Sequence, residues 1–349
     1  MRKSLLFFCL LLLAAPLVVK AQDPQFSQFY AAPLYLNPAF AGSNQQMRVG
    51  LNYRNQWPAI EANFQTISAY VDGFIESKNS GLGMILMRDT EGRAGLKSTM
   101  VGLQYAYQLY LTEWLTFRPG FQAAFFNRNV NFSDLTFGNQ FDPNTGEFIG
   151  GDPGENFGDL SKSFVDLSAG GMLYTKNMFL GIAAHHLNTP NQAFEEDGDP
   201  KELPIKYSFH GGVKIPFKSG TIGSGVYSRP QERSLTPTFQ YKKQGEFDQL
   251  DMGLYLTLEP ILIGTWYRGL PFKSIEGFSN NESIVLLVGF TKKGGNGEIL
   301  NIGYSYDYTI SKLGAGSGGA HELSISYSWS TRDPRKPPRN VMQIPCPDF

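Results

Sequence analysis

Ser98-Thr99-Met100-Val101-Gly102-Leu103-Gln104-Tyr105-Ala106-Tyr107-Gln108-Leu109-Tyr110-Leu111 decides the fold. Thr99, Val101, Leu103, Tyr105, Tyr107, Leu109 and Leu111 occupy one parity; Ser98, Gly102, Gln104 and Gln108 occupy the other. Successive side chains of a strand point to opposite faces, so this period of two sets one face against something apolar and the other against something wet. The run spans residues 98–111. Strands of globular proteins usually end after ~5–6 residues, whereas a tilted strand crossing a bilayer needs ~9–11. Length and alternation together point to a transmembrane strand.

The same reading extends both ways. Met47, Val49, Leu51 and Tyr53 share one parity and Arg48, Asn52 and Arg54 the other. Leu300, Ile302, Tyr304, Tyr306, Tyr308 and Ile310 alternate with Asn301, Ser305, Asp307 and Thr309. Leu323, Ile325, Tyr327 and Trp329 alternate with Glu322, Ser324, Ser326 and Ser328. Aromatic residues gather near strand ends, where membrane interfaces would lie. Fourteen strands are predicted, over 46–56, 64–75, 81–88, 97–111, 114–127, 163–174, 178–187, 205–216, 234–242, 249–258, 260–268, 283–291, 298–310 and 320–330. The ninth holds Pro237, which favours an irregular or edge position, and 217–233 leaves room for a further short strand. Thr112-Glu113, Thr175-Lys176-Asn177 and Glu259-Pro260 read as tight turns; 128–162, 188–204 and 269–282 read as long polar loops. Outer-membrane barrels have this asymmetry. The expected fold is all-β: a transmembrane antiparallel β-barrel of about fourteen strands, with both termini on the periplasmic side. A large soluble β-sandwich accounts for the alternation, but not for strand length together with loop asymmetry.

Composition narrows the class. Arg2 and Lys3, the apolar run Leu5 to Val19 and the site Val19-Lys20-Ala21 read as a secretory signal peptide over 1–21, cut before Gln22. The run is short for an uncleaved helix of ~20 residues. Cys9 leaves with the leader, so the exported chain keeps Cys346 alone and has no internal disulfide framework. Cys346 is either an unreactive tail thiol or pairs with another molecule. The leader also removes Arg2, Lys3 and Lys20, so 27 of the 30 basic residues face 31 acidic ones, a net charge of −4. Nothing in that balance points to nucleic acid. Aromatic content of 14% and 38 glycines suit a secreted all-β protein or a membrane barrel.

Two segments flank the barrel region 46–330. Residues 22–45 carry Phe26, Phe29, Tyr30 and Tyr35 among Pro24, Pro33 and Pro38. The prolines bar an inner sheet strand, so a lumen plug or periplasmic-rim segment is expected. Its candidate contacts are Phe26, Phe29, Tyr30, Asn37 and Pro38. Residues 331–349 hold Arg332, Arg335, Lys336 and Arg339 among four prolines before Cys346. They read as a basic, Pro-rich periplasmic tail making contacts through those residues and Cys346, or as a disordered end.

Chemistry is sparse. His185 and His186 are adjacent, so in a strand they would face opposite ways and could not easily share a metal. His210 reads as lining the lumen. There is no Gly-x-Ser-x-Gly elbow, His-Glu-x-x-His or phosphate loop, so no cofactor is implied. A surface lipase would need a serine beside His185 and Asn188, and none is marked out. Asp142 to Glu147, with Asp152 and Glu155, carries oxygen ligands but lacks the twelve-residue calcium-loop spacing. Arg48, Arg54, Arg118 and Arg268 fall on polar strand faces, as lumen charges that fix the interior or touch cargo.

Asp23-Pro24-Gln25-Phe26-Ser27-Gln28-Phe29-Tyr30 followed by Leu36-Asn37-Pro38-Ala39-Phe40-Ala41-Gly42-Ser43 resembles the entry motif of the PorP/SprF family. Tyr53-Arg54-Asn55-Gln56-Trp57, Gly181 to Pro190 with its His186-Leu187-Asn188, Gly264-Thr265-Trp266-Tyr267-Arg268 and Cys346-Pro347-Asp348-Phe349 extend the resemblance along the chain. The resemblance implies a non-enzymatic outer-membrane protein of the Type IX secretion system of gliding and protein-exporting bacteria. It implies outer-membrane lipid around the barrel and, as partners, periplasmic ring and peptidoglycan-linked components together with secreted cargo or an adhesin. A transport channel for small apolar molecules is the alternative.

Overall fold

The computed structural model describes residues 23–60, 63–92, 95–131, 140–150, 159–194, 200–217, 221–222, 229–275, 278–295, 297–311, 314–331 and 342–347. Among them fourteen long strands follow one another. They are β1 (Met47–Gln56), β2 (Phe64–Ile75), β3 (Ser80–Glu91), β4 (Leu96–Tyr107), β5 (Thr116–Asn131), β6 (Asp159–Tyr174) and β7 (Met178–His185). Then come β8 (Lys206–Val213), β9 (Arg233–Gln244), β10 (Phe247–Leu258), β11 (Ile261–Ile275), β12 (Phe278–Lys293), β13 (Ile299–Thr309) and β14 (Ala320–Trp329). Each pairs antiparallel with the next, and β14 pairs with β1 from Met47↔Trp329 to Gln56↔Ala320. The ring is closed, as the alternation and strand lengths required; a sandwich would leave open edges.

Alternation sorts the side chains across this wall. Val49, Leu51 and Tyr53 point out and are exposed, while Arg48, Asn52 and Arg54 are buried inside. Leu103 and Phe121, at 63% and 61% exposure, belong to an apolar belt carried by most of the strands. Such a belt suits lipid and not water.

Turns of two to four residues at 76–79, 175–177 and 259–260 mark one end of the barrel, and the connections after β5 and β7 make the other the long-loop end. One reading of the sequence needs correction. The stretch 269–282 is not a long loop: β11 runs on to Ile275 and β12 begins at Phe278, and the two stay paired as far as Ile275↔Phe278. Its register slips between Arg268 and Gly269 and again between Leu270 and Ser274, and such bulges erase the period of two. Between β8 and β9, where 217–233 left room for a further short strand, the described residues hold short pairings. Ile215–Pro216 pairs with β9, and Thr221–Ile222 pairs with Arg229–Pro230.

Residues 23–46 lie inside the ring. Asp23 sits at the long-loop end beside Lys206, the first residue of β8, and Gln244, the last of β9. Gln45 and Gln46 reach the opposite end, where they donate to the main-chain carbonyls of Met342 and Gly297. Between them are one helical turn, α1 (Pro33–Leu36), and a 3-10 turn (Pro38–Phe40), each with proline at its first position, where a missing N–H is harmless. Phe26, Phe29, Tyr30, Leu34, Leu36 and Phe40 pack on inward-facing Tyr70, Ile85, Met87, Met100, Phe179, Trp266 and Leu287. The hydrophobic core is therefore enclosed by the wall, and buried Ile344 of the C-terminal residues joins it.

Candidate functional site

Ser27 and Gln28 lie across the joint between β1 and β14. Glu322 of β14 accepts from the main-chain N–H of Ser27 at 2.7 Å and of Gln28 at 3.0 Å. Arg54 of β1 pairs with Glu322 at 3.3 Å and with Asp307 of β13 at 2.9 Å. Asp307 also accepts from the Ser27 hydroxyl at 2.6 Å and pairs with Arg268 of β11 at 2.9 Å. Arg268 reaches Asp251 of β10 at 2.7 Å. The Gln28 side chain donates to the Glu322 carbonyl at 3.0 Å and accepts from the Ser324 hydroxyl at 2.6 Å. These groups are nearly removed from water, and a buried charge persists only when paired and hydrogen-bonded. The polar residues of Phe26-Ser27-Gln28-Phe29 thus read the wall charges, while its aromatic rings read the apolar layer; Phe29 stands 5.9 Å from Trp266 between ring centres.

The next stretch, Asn37 to Gly42, is held largely through its backbone. Asn37 Oδ1 accepts from the Ala39 N–H at 2.9 Å, and Asn37 Nδ2 donates to the Ile182 carbonyl at 3.0 Å and lies 3.2 Å from His210 Nε2. Arg118 of β5 donates to the carbonyls of Ala39, at 2.9 Å, and of Ala41, and to the Gln108 side chain at 2.8 Å. Gly42, at φ +68°, gives its N–H to Asp72 at 2.7 Å; Asp72 also takes Arg48 in a two-pronged pair at 2.9 and 3.0 Å. The wall is cut to admit this backbone. A side chain at Gly81 or Gly120 would overlap Ala41 or Ala39, and one at Gly170 would overlap Asn37.

At the long-loop end Asp23 is gripped by Lys206 at 2.6 Å and His186 Nε2 at 2.8 Å, while His186 Nδ1 lies 2.7 Å from Asp166. Burial would raise the Asp23 carboxyl. The charges and hydrogen bonds of His186 and Lys206 outweigh it and hold Asp23 well below the usual carboxylate range. Burial likewise opposes charge on His186, but Asp23 and Asp166 push it up to about 9. The two adjacent histidines do not face opposite ways. β7 stops at His185, and His186, at φ +60°, turns its ring inward as well, so both are buried.

Of the residues singled out from sequence, Phe26, Phe29 and Tyr30 sit in the enclosed core and Asn37 and Pro38 in the backbone-held turn. Arg48, Arg54, Arg118 and Arg268 all point inside. Arg332, Arg335, Lys336 and Arg339 lie outside the described residues, and Cys346 is partly buried against the core. Asp142 to Glu147 closes as a turn in which Asp142 accepts the Asn144 N–H at 2.7 Å. Among the described residues no three His, Cys, Asp or Glu side chains are grouped to hold a metal. Sequence reading passed over Asp72, Asp251, Asp307 and Glu322 as partners of the arginines. Their signal is an acid on the inward parity of a strand, the one parity where lipid cannot be its neighbour.

The family profile described as Type IX secretion system membrane protein PorP/SprF matches residues 18–327. Comparison with curated proteins found no significant match. Solved structures similar to the chain include a Pseudomonas aeruginosa FadL homologue, at 12% identity over 85% of this chain and 93% of that one, with a TM-score of 0.42. The Ralstonia pickettii toluene transporter TbuX is 9% identical over 86% and 94%, with a TM-score of 0.47. The translocator domain of the Neisseria meningitidis autotransporter NalP is 10% identical over 81% and 88%, with a TM-score of 0.31. With most of its length matched by the profile, the chain belongs to the PorP/SprF family of Type IX secretion system membrane proteins.

Proposed function

We propose that this member of the PorP/SprF family is a non-enzymatic outer-membrane component of the secretion machinery that supports export or surface attachment of cargo proteins by binding. The observation that carries this reading is the family match over residues 18–327. Residues 1–21 are a signal peptide removed on export. Residues 22–45 act as a plug. The contacts of Ser27, Gln28, Asn37 and Gly42 with the inner wall support that role, because they fix the segment at several heights of the lumen. The tail over 331–349 serves as a periplasmic contact for ring and peptidoglycan-linked components, and the loops opposite face cargo or an adhesin.

The test is deletion of the gene followed by comparison of the secreted and surface proteomes. Joint loss of many cargo proteins would identify a core component, and loss of one adhesin with the rest exported normally would identify a cargo-specific partner. An unchanged proteome would sink the secretion reading and put a channel for small apolar molecules first. The plug is tested separately: a large steady conductance from the purified full-length barrel in a planar bilayer would rule it out.

A further inference from the structure

Residues 342–347 return to the short-turn mouth of the barrel and cross it. At one end the Met342 carbonyl accepts from the Gln45 side chain at 3.1 Å, the Gln108 side chain at 3.4 Å and the Tyr174 hydroxyl at 3.5 Å. The Met342 thioether takes the Thr116 hydroxyl at 3.7 Å. Gln108, Thr116 and Tyr174 belong to the connection between β4 and β5, to β5 and to β6. At the other end Pro347 is buried and shares a small pocket with Thr236 of β9, Thr257 of β10, Leu262 of β11 and Thr291 of β12. Those strands stand nearly opposite β5 and β6 in the ring.

Between its ends this stretch turns one side to the core and the other to water. Ile344 belongs to the same enclosed cluster as Phe26 and Phe40, and Met342 and Cys346 pack against that cluster. Gln343 is exposed, and Met342 to Cys346 line a vestibule of about 990 Å³. The residue types suit the place. Pro345 and Pro347 carry no N–H, so burying them leaves no orphan donor in an apolar mouth, and their fixed φ lowers the entropy lost on docking. Among the described residues no main-chain to main-chain hydrogen bond ties 342–347 to a strand. Side chains and apolar contact hold this stretch, not a ladder, so it can leave without opening the ring.

Its Met342 end bears on the lumen segment. The N–H of Gln45 closes a turn on the Gly42 carbonyl at 3.2 Å, just before β1 begins. Gln45 is at φ +58°, where a residue with a side chain is rarely found, so the bond from its side chain to Met342 helps to hold that turn.

We propose that residues 342–347 are a removable strap that closes the short-turn mouth and locks the lower end of the lumen segment through Gln45. Withdrawal of the strap frees residues 41–46, while the contacts of Asp23, Ser27 and Gln28 nearer the other end stay made. Only its withdrawal by a periplasmic partner gripping the tail rests on the secretion reading, and a test on the purified barrel separates the two.

Two measurements on the full-length barrel make that test. Cys346 is the only cysteine beyond residue 21, so a polyethylene-glycol maleimide reports on the strap directly. Its reaction should be about tenfold or more slower in the folded barrel than in the urea-unfolded chain, and Ile344→Asp, which sets a carboxylate against the core, should restore most of that speed. Hydrogen exchange reports on the lock. In Ile344→Asp the amides of residues 41–46 should exchange about tenfold faster than in the parent, and those of residues 26–31 no faster. Ile344→Val should match the parent in both measurements. Heat-modifiable migration confirms that each variant is folded, and Ile344→Ser takes the place of Ile344→Asp should that one not fold. The proposal is overturned by equal labelling of the folded and unfolded parent, by slow labelling of the folded polar variant, or by exchange at 41–46 that is unchanged when the strap is out.

Discussion

Arg268 and Arg118 are both fully buried, yet they are satisfied in opposite ways. Arg268 is neutralised by the wall itself, through Asp251 and Asp307. Arg118 is held by two main-chain carbonyls of the lumen segment and a neutral glutamine side chain. The charge of the first is balanced by the barrel alone, with Ser27 of the segment adding one hydrogen bond at 3.0 Å; the second is satisfied largely by the segment. One interior therefore holds both a structural ion-pair network and a docking site, and which of the two a buried arginine serves follows from where its acceptors come from.

The widest break in that comparison is deletion of residues 23–46. If the segment blocks the lumen, the shortened barrel should show a large steady conductance in planar bilayers where the full chain shows little. Arg268→Met comes next. It takes from Asp251 its near cation and from Asp307 one of two, and chemical denaturation should register a loss of ~3–5 kcal/mol in the full chain and a smaller but still measurable one in the deletion, where water reaches the carboxylates. Arg118→Met should cost ~1–3 kcal/mol in the full chain and near zero in the deletion, where water replaces the carbonyls. Equal costs in the two backgrounds would show that Arg118 does not depend on the segment. Gly120→Ala should cost ~1–3 kcal/mol by forcing Ala39 off the wall, with no such penalty once the segment is gone.

The smallest effect is a pH dependence at the long-loop end. His186 has a raised pKa, so its contribution is full below its ordinary value of 6.5 and is lost as pH rises through about 9. The Asp23 carboxyl is lowered, so its contribution is present above the ordinary 3.8 and is lost as pH falls below that value. Lys206 and Asp166 complete the cluster. Protection of residues 23–26 from added protease should therefore be greatest between these limits, and Asp23→Asn should flatten the profile.

The barrel was legible because each strand repeats one physical rule, apolar out and polar in. Its contents were not, although the rule's exceptions announced them. In the deciding stretch Met100 and Ala106 carry apolar side chains on the polar parity, and both are buried against the interior. Ile284 to Phe290 is apolar on both parities, which a water-filled lumen would not tolerate; Val285 and Leu287 face the enclosed core. Three prolines showed that 22–45 could not join the sheet, but not where it goes, since its partners come from strands scattered along the whole chain. The hairpin through 269–282 was hidden because two register slips cancel the alternation. The inward turn of His186 depends on one backbone angle that no residue type there demands.

Every neighbouring pair of barrel strands is consecutive in the chain except β1 and β14, whose pairing joins residues 47–56 to 320–329. That joint has the largest loop to close, and closure entropy rises with loop length, so it is the slowest contact to find by chance. Ser27 and Gln28 bind Glu322 of β14, and Ser27 binds Asp307 of β13, while the chain that carries them runs directly into β1. The lumen segment is therefore tethered to one side of the seam and chemically matched to the other.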